Sequence, residues 1–127
     1  MNLAISLHNP TPIYRQIIDQ IEIMILTGEI RSGEPLPSLR QLAEDLMTSV
    51  ITTKRAYAEL EAEGLIVTRP GLGTFVAEQS TDARRRLRED LILTHLRRAV
   101  EMAKTLGVNR EELTAMLQSL LDHDGGG

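Results

Sequence analysis

At 127 residues the chain has room for one ordinary domain and a small appendage. Hydrophobic residues make up 42% and aromatics only 2%, so the core is aliphatic, and the lack of any cysteine excludes disulfides and thiolate zinc sites. The net charge of −4 weighs against a nucleic-acid binder without excluding one, because cations gathered on one face still meet phosphate.

The elements follow in chain order. Residues 1–9 read as an extended arm in which Leu3, Ile5 and Leu7 alternate with Ala4 and Ser6. A first helix follows, with Thr11 expected as N-cap and Pro12 at the first helical position, where its missing N–H does no harm. Ile17, Ile21, Met24 and Ile25 recur at helical spacing, widened by Tyr14 and Ile18, and Gly28 is the expected stop. Glu29–Pro37 reads as a loop, because Gly33, Pro35 and Pro37 oppose a regular element.

Ser38 and Gln41 form an S-x-x-Q capping box that opens a second helix, with Leu39, Leu42, Ala43 and Leu46 inward. The pattern breaks at Met47–Thr48. Ser49 and Thr52 give a new cap signal for a third helix from about Val50 to Glu63, which buries Ala56, Tyr57 and Leu60 and stops at Gly64. Two helices joined by about three residues cross steeply, as in a helix-turn-helix. Leu65–Thr68 and Thr74–Ala77 read as strands around the turn Arg69–Gly73, so the hairpin forms a wing.

Beyond Gln79 the sequence becomes a charged helix over Thr81–Gly107. Leu93, Leu96, Val100 and Ala103 follow a 3-4-3 spacing that resembles a short coiled-coil seam. Asn109 and Glu112 form a cap pair for a last helix striped by Leu113, Met116, Leu117, Leu120 and Leu121. Asp122–Gly127 is expected to fray, with a disordered glycine run. The predicted class is mainly α with a small β-hairpin: an arm (1–9), a winged helix-turn-helix (10–77) and a helical dimerisation tail (78–127).

This order of elements suits placing a helix in a DNA groove. First-turn residues of a reading helix reach base edges. Ser49 and Thr52 offer hydroxyls and the positive helix end to phosphate, and Val50 or Ile51 suits a thymine methyl; capping plus packing is the plainer reading of all four. Lys54 and Arg55 lie about 100° apart and cannot share a face. Lys54 is the expected phosphate contact, since Arg55 has Glu59 four residues on. Arg69, Gly71 and Gly73 form a wing tip whose glycines allow close backbone approach. The run Arg84, Arg85, Arg86 and Arg88 is flanked by Asp82, Glu89 and Asp90 and reads as a solvated helix start. His8, His95 and His123 are scattered, and no catalytic or metal-binding constellation is recognisable, so no enzyme, metal or cofactor is expected.

The blocks P-I-Y-R-Q-I (12–17), G-E-I-R-S-G-E-P-L-P-S-L-R-Q-L-A (28–43), R-A-Y-A-E-L-E-A-E-G-L-I (55–66) and R-P-G-L-G-T-F-V (69–76) resemble the N-terminal domain of GntR-type bacterial transcription regulators. The two-helix tail resembles that of the YtrA subfamily, whose members carry a short dimerising segment. The resemblance implies a homodimeric DNA-binding regulator, commonly a repressor, and a DNA contact for Arg40, whose guanidinium can fork onto phosphate or guanine. The chain departs from the family at Met47, usually Gly, and at Thr48, Val50 and Thr53, so the family's details of base readout do not carry over at these positions. A non-glycine residue at positive φ costs roughly 1 kcal/mol.

The expected partners are double-stranded DNA, a second copy of the chain and an unidentified small-molecule effector seated by the tail; no membrane partner is expected. No apolar run reaches about 18 residues and the N-terminus does not resemble a secretory signal, so a cytoplasmic protein is expected. The acidic balance and apolar Val50 and Ile51 leave open a winged helix that binds protein instead of DNA.

Overall fold

A computed structural model of the chain describes residues 1–124. The expected disorder of the closing glycine run lies outside the described residues. The chain divides into two compact units, Met1–Arg84 and a second that begins at Arg85.

The first unit holds three helices, α1 (Ile13–Thr27), α2 (Leu39–Leu46) and α3 (Val50–Ala62), and three short strands, β1 (Pro35–Leu36), β2 (Ile66–Arg69) and β3 (Gly73–Val76). Both α1 and α2 pack against α3. Ile17, Ile18 and Ile21 of α1, Leu42 of α2, Ala56 and Leu60 of α3, and Leu65, Ile66 and Val76 around the hairpin are buried together. The 3.6-residue period of these side chains places one apolar face of each helix on this core. Tyr57 joins it by donating its hydroxyl to the Pro37 carbonyl at 2.8 Å, and burial pushes its phenol up.

The first helix begins differently from the expectation. Pro12, with ψ 148°, holds the N-cap position, and no side chain caps α1. Thr11 precedes a proline, which disfavours the helical region, and its N–H is taken by Asn9 Oδ1 at 2.9 Å. The stop is as predicted: Gly28 sits at φ 79° and donates its N–H to the Ile25 carbonyl. The arm is held to α1 by two glutamines one turn apart. Gln20 pairs with both the N–H and C=O of Ala4, and Gln16 does the same for Ser6. Gln16 and a second polar residue, Glu22, are buried.

Glu29–Pro37 is not wholly a loop. Pro35 and Leu36 form an edge strand on β3, opposite Phe75 and Thr74, in the antiparallel order β1-β3-β2. An edge strand tolerates proline because one side of it needs no N–H. Gly33 and Val76 extend this pairing at 2.8 Å. The hairpin is in register from Ile66↔Val76 to Arg69↔Gly73, so both strands sit one residue away from their predicted bounds. Its turn has Pro70 second and Gly71 third, the latter at φ 76°, with Leu72 N–H on the Arg69 carbonyl, the pattern of a type II turn.

In the second unit, α4 (Thr81–Leu106, whose first turn belongs to the first unit) is followed by α5 (Arg110–His123). Asn109 caps α5 by accepting the Glu112 N–H at 2.9 Å, as expected. The helix continues through Asp122 and His123, which were expected to fray. No helix among the described residues is long and apolar enough to cross a membrane.

Candidate nucleic-acid interface

The turn between α2 and α3 is built from main-chain and hydroxyl bonds. Ser38 accepts the Gln41 N–H at 3.1 Å, but the reciprocal half of the capping box is missing, because the Gln41 amide donates to Asp45 one turn further on. The helix then ends at Met47 in the left-handed region, φ 55° and ψ 44°, the one non-glycine residue with positive φ among those described. Thr48 N–H reaches back to the Ala43 carbonyl at 2.9 Å, so the backbone of this turn is paired despite its strain.

Ser49 is extended and caps α3. Its Oγ accepts the Thr52 N–H at 3.2 Å and lies 2.9 Å from the Thr52 hydroxyl. Thr53 is fully buried, and its hydroxyl donates to the carbonyls of Leu39 and Val50, at 3.0 and 3.1 Å. Its place is therefore between the two helices, not on a reading face. The departure from an apolar residue at this position changes the fastening of the helix pair. This role was invisible in the sequence, where Thr53 stood only as a departure from an apolar family position that bears on base readout.

The remaining candidates are set outward. Val50, Ile51 and Met47 are 43%, 81% and 93% exposed, large values for apolar side chains. Arg40 and Lys54 are exposed and free of ion pairs among the described residues. Arg55 is occupied: its guanidinium lies 3.8 Å from the centre of the Tyr14 ring, donates to the Tyr14 hydroxyl and pairs with Glu59. At the wing, Arg69, Gly71 and Gly73 are exposed, and Arg69 lies 5.8 Å from the centre of the Phe75 ring. The basic run is divided in use, because Arg84 donates to the Leu26 carbonyl at 2.9 Å while Arg85, Arg86 and Arg88 face solvent.

The tail residues fall into two groups. Leu93, Leu96, Val100, Met116, Leu117 and Leu120 are exposed, and α5 buries none of its side chains. Ala103 departs from the expected stripe. It is buried, Val108 N–H meets its carbonyl at 2.8 Å, and Leu113 is half-buried. A residue this small beside the α4–α5 turn is covered by its own chain.

Residues 13–76 match the family model "Bacterial regulatory proteins, gntR family". Over 125 residues the chain is 33% identical to the HTH-type transcriptional repressor YtrA of Bacillus subtilis, covering 98% of this chain and 96% of that protein. A GntR family transcriptional regulator from Listeria monocytogenes superposes with a TM-score of 0.74 at 32% identity, over 89% of this chain and 98% of that one. The DNA-binding domain of AraR, solved in complex with the operator ORX1, matches with a TM-score of 0.54 at 28% identity, over 61% of this chain and 99% of that one.

Proposed function

Since the chain belongs to the GntR family of bacterial regulatory proteins, we propose that it is a repressor that grips operator DNA as a homodimer. One observation carries the reading: Ser49, Val50, Ile51 and Lys54 at the start of α3 are exposed, as are Arg40 and Arg69. Each copy presents a reading helix to one half-site and a wing to the flanking backbone. Two-fold pairing through α4 and α5 makes the site a pseudo-palindrome, with half-site centres about one DNA turn apart or a near multiple of it. The bare apolar stripe of the tail supports this pairing, and the repressor name of the relative YtrA supports the sign of control.

The main chain at the start of α3 and the hydroxyl cap give phosphate a positive helix end. The three cations then neutralise phosphate. With three from each copy engaged, the logarithm of affinity falls with the logarithm of salt at a slope of about −5. Selection of bound duplexes from a random pool is the direct test. Recovery of an inverted repeat, bound with that slope and weakened by Arg40→Ala with Lys54→Ala, is the expected result. A pool that yields no enriched sequence overturns the reading and favours a protein-binding winged helix.

A further inference from the structure

We propose that Ile51, seconded by Met47, reads the C5-methyl groups of thymines in the operator half-site. The inference rests on the DNA-binding reading above and names the base chemistry that this chain recognises.

The argument starts from the direction of side chains around α3. Thr53, Ala56, Tyr57 and Leu60 are buried and define its inner side. At about 100° per residue, the direction opposite to them is held by Ile51 and, two turns on, Ala58, with Lys54 and Arg55 to either side. Arg55 is clasped by Tyr14 and Glu59. What this helix pushes furthest outward is therefore a branched aliphatic side chain. Val50 lies nearer the covered side and is little more than half as exposed as Ile51.

Hydrogen-bonding groups that would compete for base edges are largely turned to partners within the helix pair. The Ser49 and Thr52 hydroxyls face each other at 2.9 Å, and Ser49 Oγ also holds the Thr52 N–H. The Thr53 hydroxyl is spent on two carbonyls inside the helix pair. No side chain in the first turn of α3 offers the paired donors or acceptors that guanine or adenine demand. Arg40 and Lys54 are exposed on the same helix-turn-helix, so a ligand that is anionic overall and apolar in places suits it. In the major groove the thymine methyl is the apolar feature of the base edges, flanked on both sides by phosphate. Met47, in the turn that precedes α3, is a second large apolar side chain left 93% exposed.

The test replaces thymines of a selected duplex, one at a time, with deoxyuridine, which lacks only the methyl. The expected result is an affinity loss of about fourfold at particular half-site positions, the value of burying one methyl group. Ile51→Ala should erase this thymine–uracil difference at one of those positions while the salt slope stays. Full-length protein that binds the duplex with equal affinity in thymine and uracil forms overturns this inference and leaves the DNA-binding reading intact. Protein that binds no duplex overturns both.

Discussion

The two units spend their apolar residues in opposite ways. In Met1–Arg84 a set of isoleucines and leucines from all three helices and the hairpin forms a buried core, and no buried side-chain polar atom among the described residues lacks a hydrogen-bond partner. In the second unit one alanine is buried, while leucines, a valine and methionines stand in water along α4 and α5. The contrast teaches that apolar content does not measure self-sufficiency. The first unit has three directions from which to cover a side chain; two consecutive helices have too few, and their stripe is left for a partner.

The sharpest way to break this comparison is to charge the tail. Leu96→Glu with Leu117→Glu should leave the first unit folded but abolish dimerisation in sedimentation equilibrium. Operator affinity should then fall by about 100-fold or more, because the second half-site no longer binds as part of one molecule. A variant that stays dimeric would show that the stripe is not the interface.

A second test asks how the first unit tolerates its buried acid. Glu22 is pushed up from 4.5 to about 8, chiefly by burial, then by its hydrogen bond to and repulsion from Glu63 and repulsion from Asp19, with Arg15 opposing. Folding therefore takes up a proton between these values, and stability falls as pH rises from about 4.5 through about 8. Glu22→Gln should flatten that part of the profile in thermal melts run at several pH values. An unchanged slope would place the titration elsewhere.

Thr53→Val keeps the volume but leaves the Leu39 carbonyl without its hydroxyl donor. We expect a loss of about 1–2 kcal/mol in urea unfolding, with no change in dimerisation. Smallest is Met47→Gly, which should relieve the left-handed backbone and raise stability by up to about 1 kcal/mol. It should also weaken binding to thymine-bearing sites, which sets stability against recognition at one residue.

Much of the first unit was legible because its signals are local. Ser49 caps a helix, Gly28 stops one, and the Pro70-Gly71 turn closes the wing; each rests on bonds within five residues. What escaped depends on distant neighbours. The two-residue strand β1 exists because β3 offers an edge. Thr53 looks polar until Leu39, fourteen residues back, stands beside it. The candidate interface was legible as a segment. Which of its side chains lead, Ile51 more than Val50, followed only from the buried side of α3.

The glutamines that hold the arm grip main-chain atoms at Ala4 and Ser6, whose own side chains are exposed. Such a clasp is blind to residue identity at those two sites, with one exception. Proline at either one would remove the N–H that the amide oxygen needs. The arm can thus drift in sequence over evolutionary time and stay fastened, as a cord stays in its cleats whatever its colour.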